Sequence, residues 1–313
     1  MPLFDAYCVV EWSAKSEPCQ GKESVWYCLE ERTKAGFRRS NWKNPPTRNQ
    51  AIEKIEVLLA NLVRREKRVL LGFNFAYSFP AGLADALGLK GPSPWRAIWQ
   101  ELSSLVEDDS RNRNNRLEVA ADLNRRLTGG PAPFWGCPDR VTAPAHLGAG
   151  APAGQEYRKL GLRERRIVEE RVKKAQPVWK IYYSGSTGGL SLTGIPRLQH
   201  LISQPGLAEK SCVWPFEWTS KTETALKRGE TMIVHAEVYP PTLGDSKSFD
   251  DPPGKLRVDK QAKKLAGWDK TDELLDFLNA PLRISSKGKR RAVLEEEGWI
   301  LGGEPKAETP RET

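Results

Sequence analysis

The chain has 313 residues, of which 39% are hydrophobic and 9% aromatic, so it has enough apolar material to bury a core and wholesale disorder is excluded. Its 49 Lys and Arg residues outnumber its 40 Asp and Glu residues, and the net charge of +9 favours an anionic partner such as nucleic acid. No apolar run is long enough to cross a bilayer, and the first residues lack the basic lead and apolar stretch of a secretory signal. We therefore expect that the chain is not a membrane protein.

The cysteine and histidine content narrows the possible chemistry. The five cysteines are scattered and form no C-x-x-C pair, which argues against a thiolate zinc site and favours a reducing, cytoplasmic setting. Only three histidines are present, so any metal chemistry must depend on carboxylates. The positive charge alone is equally compatible with a soluble basic protein that binds no polyanion.

The first third of the chain has the pattern of a hairpin, a helix and a buried strand. Residues 5–14 alternate between two faces, residues 24–32 form a second strand, and a third strand is predicted around 37–42. Thr47, with Gln50 three residues later, is a capping box that opens a helix running to about residue 66. Five residues form its apolar face: Ile52, Ile55, Leu58, Leu59 and Leu62.

A short apolar run at residues 68–75 is typical of a strand that is buried on both faces. Together with the preceding elements it predicts an α/β fold with one mixed β-sheet. Helical patterns then dominate residues 93–175, which we interpret as a helical insertion; its three helices are predicted at 94–109, 114–127 and 162–175.

Strand patterns resume after the insertion. They cover residues 178–184, 212–218 and 231–241, and helices are predicted at 194–203 and 259–279. His235 lies in the last of these strands and is expected to be a core residue with one hydrogen bond. The predicted organisation is a sheet domain of residues 1–92 and 176–302, the insertion at 93–175, and a disordered tail at 303–313.

Three polar side chains lie where predicted strands give way to loops: Glu11, Asn74 and Glu237. Ligands of open α/β sheets bind beyond the carboxyl ends of the strands, so these groups are expected to converge. Asp259, near the start of the last long helix, is a fourth candidate, with Asp272 as its substitute. Such oxygen ligands suit Mg²⁺ or Mn²⁺ and metal-assisted phosphodiester hydrolysis. The alternative is that these residues are ordinary solvated or salt-bridged side chains.

An ordered series of short motifs resembles a family of bacterial proteins with an RNase H-like fold, some of which carry cobalamin-biosynthesis or molybdopterin-related labels. The resemblance covers about residues 5–302 and depends on these segments: VEWSA, ESVWYCL, NPPTR, VLLGFNFAYSFPAGLADALGL, NNR, PFWGCP, GIPRL, VWPFE, AEVYP and EEGWILG.

The resemblance implies a divalent-metal-dependent nuclease with acidic residues on the first strand, a central strand and a late helix. Glu11 matches the first-strand acid, where the family pattern has Asp, and Asn74 matches the acid of the expected GFDF motif. Glu237 matches the glutamate of the EVYP-like motif, and Asp259 the late acid. The amide of Asn74 removes a negative charge beside the cation, so we expect it to weaken hydrolysis.

A glycine-rich turn precedes the helix that contains GIPRL. Ser186, Thr187 and Gly188 in this turn are candidates for phosphate contacts, because such a turn presents backbone N–H groups and a helix N-terminus. The turn lacks the G-K-[ST] ending of a Walker loop, and a simple connector is the alternative.

Basic and aromatic residues alternate in the predicted insertion and near the end of the chain. Such residues can contact phosphates and stack on unpaired bases, although the intermixed glutamates also fit a solvated face. The candidate nucleic-acid contacts are Trp95, Arg96, Trp99, Arg113, Arg116, Lys289 and Arg290.

Three functions are therefore open. The first is a metal-dependent nuclease weakened at Asn74. The second is a nucleic-acid-binding protein of the same fold without catalysis. The third is a protein that acts on a phosphorylated or corrinoid metabolite, with the glycine-rich turn holding the phosphate and the tryptophans lining an apolar pocket.

Overall fold

A mixed β-sheet forms the centre of the fold in the computed structural model, which describes residues 2–33, 36–37, 41–138, 144–172, 174–239 and 251–303. The strand order is β3–β2–β1–β5–β7–β6, with β4 also paired to β2 and β8 to β7. The strands are β1 (Ala6–Glu11), β2 (Trp26–Thr33), β3 (Gly36–Phe37), β4 (Asn41–Lys43), β5 (Val69–Phe73), β6 (Ser211–Val213), β7 (Ile233–Val238) and β8 (Ile300–Leu301).

The predicted hairpin and the predicted mixed α/β sheet are both confirmed. Strands β1 and β2 are antiparallel, with Glu11 opposite Trp26. Strand β5 pairs in parallel with β1, and β7 pairs in parallel with β5, so the carboxyl ends of these three strands meet at one edge of the sheet.

Ten α-helices lie among the described residues and flank the sheet. They are α1 (Arg48–Arg64), α2 (Leu83–Ala86), α3 (Pro94–Leu105), α4 (Arg116–Thr128), α5 (Gly154–Lys159), α6 (Gly188–Ile202), α7 (Ser220–Lys227), α8 (Pro253–Lys270), α9 (Glu273–Asn279) and α10 (Lys287–Ala292). Helix α1 begins as predicted, because the Thr47 hydroxyl accepts a hydrogen bond from the Gln50 N–H. No helix in these ranges is long and apolar enough to span a membrane.

The two faces of the sheet are covered by different helices. Alternating strand residues such as Val10 and Phe73 pack with α1, α3, α4 and α6 in one hydrophobic cluster. The residues between them, such as Val9 and Leu70, pack with α8 and α9 in a second cluster. Because the strand side chains alternate, each cluster occupies one face of the sheet. Helices α3 and α4 of the predicted insertion therefore contribute to the same core as the strands.

The Asp269 carboxylate joins α8 to the start of the chain. It is buried and accepts hydrogen bonds from the N–H groups of Leu3 (2.8 Å) and Phe4 (2.9 Å). The Tyr7 hydroxyl donates a third hydrogen bond to the same carboxylate at 2.5 Å. The segment before β1 is thus fixed by a residue more than 260 positions later.

Two predicted elements are wrong. The described residues of 162–175 form no long helix, because the side chains of Arg166 and Glu169 turn inward and bind each other (Nε to Oε1, 2.8 Å). Residues 178–184 form no strand beyond a single bridge between Lys180 and Trp135.

Two further elements are shorter than expected. The strand predicted at 212–218 ends at Val213, whose N–H donates to Glu217 Oε2 at 2.7 Å as the chain turns. The helix predicted at 259–279 is divided into α8 and α9 at Thr271 and Asp272. Of the predicted disordered tail, residues 304–313 lie outside the described residues.

Candidate functional site

Glu11 and Asn74 lie side by side at the carboxyl edge of the sheet. Glu11 is the last residue of β1, and Asn74 follows the last residue of β5. The Asn74 N–H donates to Val10 O at 3.3 Å, so the parallel ladder continues to this position. Because side chains alternate along a strand, Asn74 projects to the same face of the sheet as Glu11.

Glu237 lies at the same edge but on the opposite face. In register, Val10 pairs with Phe73 and Phe73 pairs with Glu237, and paired residues of neighbouring strands point to the same side. Glu237 therefore shares the face of Val10, whereas Glu11 points the other way. The sheet does not bring the two glutamates together as the strand ends had led us to expect.

Glu11 is bound by an arginine from α8. Arg257 Nη1 donates to Glu11 Oε1 at 2.6 Å, while Glu11 Oε2 is buried and has no hydrogen-bond partner among the described residues. Burial raises the pKa of Glu11 above its ordinary value, against the opposing effect of Arg257. A guanidinium thus occupies one side of the carboxylate at the place where the late acid of α8 was expected.

The amide of Asn74 holds the end of β1. Its Oδ1 accepts a hydrogen bond from the Trp12 N–H at 2.6 Å. A carbonyl oxygen already engaged by a backbone donor is a poor additional ligand for a small cation. The observed role of Asn74 is to tie the strand ends together.

Glu237 is held by Arg166 in a bidentate pair that is closed to solvent. Arg166 Nη1 and Nη2 each lie 2.7 Å from one Glu237 oxygen, and the Tyr77 N–H donates to Oε2 at 3.2 Å. Burial raises the pKa of Glu237, an effect that Arg166 opposes. Burial also lowers the pKa of Arg166, but the surrounding carboxylates outweigh this and raise it well above its ordinary value.

The Arg166 pair belongs to a buried network that joins distant parts of the chain. Arg166 also donates to Glu169 Oε1 (2.8 Å) and to the backbone oxygen of Glu297 (3.1 Å). The Glu297 carboxylate accepts hydrogen bonds from the N–H groups of Ile167 (2.6 Å) and Ala81 (3.1 Å). Both Glu237 oxygens are engaged in this network, which indicates a structural role.

The two late acidic residues lie on α8 and at the start of α9. Asp259 is half-buried on α8, and its Oδ2 accepts a hydrogen bond from Lys263 Nζ at 2.8 Å. Asp272 is exposed at the start of α9. Within the described part of the chain, no three histidine, cysteine or acidic residues form a group that could hold a metal ion.

The donor set at the sheet edge does not fit Mg²⁺ or Mn²⁺ as it stands. It offers one carboxylate, an amide whose oxygen is engaged, and a positive guanidinium. Mg²⁺ requires near-octahedral oxygen coordination and is repelled by a neighbouring cation. Only the unpartnered Glu11 Oε2 has the character of a free ligand.

The two tryptophans predicted to contact nucleic acid are not accessible to a ligand. Trp95 and Trp99 are buried in the core, so neither ring can stack on a base. Arg96 lies over the Trp95 ring at 4.4 Å and is paired with Glu217. The alternating pattern reflects core packing of α3, whose helical spacing places both tryptophans on one side.

The remaining predicted contacts divide between surface and interior. Arg113 is exposed but paired with Asp109, and Arg116 is buried. Lys289 is exposed on α10, where Arg290 is half-buried and donates to Ile284 O at 3.1 Å. Helix α10 is therefore the part of the prediction that remains available to a polyanion.

The glycine-rich turn leads directly into α6. Ser186 and Thr187 are half-buried, and Gly188 is the first residue of the helix. A Cβ at Gly188 would lie 2.1 Å from Val178 O, so glycine is required there by the close approach of the chain. The Gly188 N–H donates to Lys180 O at 2.9 Å.

A surface groove of about 710 Å³ lies between β4 and α1. It is lined on one side by Lys43 and Asn44 and on the other by Gln50, Lys54 and Val57. The exposed Trp42 lies next to it in sequence, with Lys255 Nζ 3.8 Å above its ring. Sequence patterns did not single out this groove, because its residues come from separate elements.

The arginines that bind the strand-end glutamates were also missed. The search for a late acid on α8 passed over Arg257, two residues before Asp259. Arg166 lies in the predicted helix at 162–175, whose mixed charges fit either phosphate contacts or a solvated face, and neither interpretation anticipates a buried pair with Glu237. Comparisons with protein-family models, curated proteins and solved structures found no match to this chain.

Proposed function

We propose that this chain is a nucleic-acid-binding protein with an RNase H-like fold that has lost metal-dependent phosphodiester hydrolysis. The observation that carries this proposal is the Arg257–Glu11 contact of 2.6 Å at the carboxyl edge of the sheet. It supports a site in which a guanidinium occupies the position that a nuclease of this fold would give to a metal ligand. The engaged amide of Asn74 supports the same conclusion.

The strand arrangement supports the RNase H-like part of the proposal. An antiparallel hairpin of β1 and β2 is followed by a helix and by β5 and β7, which extend the sheet in parallel beside β1. Helix α8 follows β7 and covers the face on which Glu11 lies. This order agrees with the fold implied by the sequence motifs.

Charge supports the nucleic-acid part. The net charge is +9, and Lys287 and Lys289 project from α10 without an ion pair in the part of the chain that the structure describes. Exposed lysines of this kind bind phosphates without choice of sequence.

The first experiment measures binding and cleavage of labelled single-stranded DNA and RNA with Mg²⁺, with Mn²⁺ and with EDTA. We expect binding without metal-dependent cleavage, and log affinity should fall linearly with log salt by about 0.7 per neutralised phosphate. The variant Lys287→Glu/Lys289→Glu should reduce this slope by about 1.4 if two phosphate contacts are lost. Lys221→Glu/Arg228→Glu, which makes the same charge change on and beside α7, is the matched control.

Two results would overturn the proposal. The first concerns the nucleic-acid surface: it would be rejected by an affinity that does not change with salt, or by equal losses of affinity in the α10 and α7 variants. The other is cleavage by the unmodified protein that EDTA abolishes and that Glu11→Gln removes.

A weakened nuclease is the second candidate, and the unpartnered Glu11 Oε2 favours it. Its test is the double variant Asn74→Asp/Arg257→Gln, which supplies a second carboxylate and removes the cation. If residual chemistry is present, EDTA-sensitive cleavage should rise about a hundredfold, as expected for a gain of about 3 kcal/mol in transition-state stabilisation. Lys270→Gln, at the exposed end of α8, is the control. No gain in the double variant would reject this candidate.

A further inference from the structure

A cluster of three arginines lies beside the start of α6, on the face of the sheet opposite Glu11. Arg48 binds Asp108 through two nitrogens, and Arg197 binds the same carboxylate. Arg116 contacts neutral oxygens only: its Nη1 donates to Ser16 Oγ (3.0 Å) and to Asn114 Oδ1 (2.7 Å). Three guanidinium groups face two carboxylates, Asp108 and Glu118, the latter unbonded among the described residues, which leaves an excess of positive charge.

Arg116 itself is buried and incompletely bonded. Only 7% of the residue is exposed, and its Nε has no hydrogen-bond partner among the described residues. A buried donor without a partner is costly, and a buried guanidinium without a carboxylate is more so. The free N–H therefore indicates an acceptor that the described residues do not supply.

The unpartnered Nε lies beside the first turn of α6. A Cβ built on Gly189 would lie 3.6 Å from Arg116 Nε, which places the guanidinium against the helix start. The first N–H groups of a helix have no acceptor within the helix, and its dipole favours negative charge at this end. Helix α6 has 15 residues, so its dipole is fully developed.

Residues on two sides of this point reach the surface. Ser184 and Gly185 are exposed, Ser186 and Thr187 are half-buried, and Ser16 on the other side is exposed. The loop after β1 and the turn before α6 are therefore the side from which we expect a small anion to approach.

We infer that Arg116 and the N-terminal turn of α6 form a binding site for a phosphate group, with Ser186 and Thr187 at its entrance. A tetrahedral oxyanion would accept the Arg116 Nε–H and the N–H groups of the helix start, and it would balance the excess charge. The site does not depend on the proposed function, because a free phosphate, a phosphomonoester or a phosphodiester all present this chemistry.

The test uses proton–nitrogen correlation spectra of the intact protein during titration with inorganic phosphate, with chloride adjusted to keep the ionic strength constant. We expect saturable shifts of the Arg116 Nε–H resonance and of the Gly189 and Leu190 amides. The absence of these shifts, or equal shifts with chloride alone, would overturn the inference.

Variants give an independent readout of the same site. Arg116→Lys keeps the charge but removes the Nε–H, and phosphate affinity should fall about tenfold. Arg113→Gln, an exposed neighbour, should leave phosphate affinity unchanged, and equal losses in both would overturn the site. If Arg116→Lys does not fold, the shifts in the unmodified protein decide the question. Parallel titrations with a phosphomonoester nucleotide and with a dinucleotide lacking terminal phosphates then identify the source of the phosphate.

Discussion

Each of the two strand-end glutamates is bound by an arginine, and the two pairs differ in their contact with water. The Arg257 side chain is 37% exposed, whereas that of Arg166 is 1% exposed. Removing Arg257 leaves the mostly buried Glu11 carboxylate without its cation, but water reaches this pair, so the loss of stability should be smaller than at Arg166. The sheet edge at Glu11 should therefore tolerate substitution better than the edge at Glu237.

His235 is a buried residue whose titration affects the stability of the whole protein. It is fully buried, its Nε2 lies 2.9 Å from Ser211 Oγ, and its Nδ1 has no partner among the described residues. Burial lowers the pKa of His235 from 6.5 to about 3. The folded state therefore keeps this ring neutral at pH values where the unfolded chain is protonated.

The first prediction concerns this ring. As pH falls below 6.5, the unfolded state binds the proton first, so the free energy of unfolding should decrease. The loss should be about 1.4 kcal/mol per pH unit relative to the variant His235→Gln. Urea unfolding of both proteins between neutral and mildly acidic pH measures it. The raised pKa values of the buried glutamates act in the opposite direction but are common to both proteins. Parallel pH profiles would contradict the prediction.

At the scale of elements, helix α6 packs so closely on the segment after β5 that glycine is required within the helix. A Cβ at Gly194 would lie 2.5 Å from the Phe75 ring. Gly267 in α8 differs, since nothing lies within 4 Å of its Cβ position. The same residue type thus has a packing role in one helix and none in the other.

The second prediction compares these two positions. Gly194→Ala should destabilise the protein by about 1–3 kcal/mol, because the Phe75 ring must move in a filled core. Gly267→Ala should stabilise it by about 0.5 kcal/mol, because alanine is the better helix former and the site is open. Thermal or urea unfolding of the two variants gives both values, and a change of the same sign in both would refute the packing argument.

Element prediction succeeded where local patterns decide the structure. The cap at Thr47 and the apolar spacing of α1 fix that helix locally, and alternation fixes the faces of β1. The helix predicted around Arg166 was wrong, because the Arg166 side chain turns inward to partners 71 and 131 residues away.

The candidate site was harder to predict than the fold. Alternation shows which residues of β7 share a face with Glu237, but only the register between strands shows which face that is. The Arg257–Glu11 contact joins residues 246 positions apart, and no local pattern encodes it.

At the scale of the molecule, the buried network around Arg166 holds three distant segments against each other. It joins the segment at 166–169, strand β7 and the turn at Glu297. Glu296 Oε2 adds a bond from the Gly82 N–H at 2.7 Å. The described C-terminal segment is thereby fixed to the core.

The third prediction tests this network. Arg166→Met leaves buried carboxylates without their cation and should cost about 3–5 kcal/mol of unfolding free energy. Arg125→Met, which breaks an exposed pair with Asp122, should cost about 0.5 kcal/mol or less. Urea unfolding at neutral pH distinguishes them, and comparable losses would show that the network carries little of the stability.

The hydrogen bonds from Leu3 and Phe4 to Asp269 have a consequence for synthesis of the protein on the ribosome. A nascent chain that has released β1 and β2 still lacks the helix that anchors them, and its α8-facing side remains uncovered. Apolar surface exposed in this way during translation attracts chaperones or other nascent chains. This face of the sheet can therefore be covered only after residues near 269 have emerged from the exit tunnel.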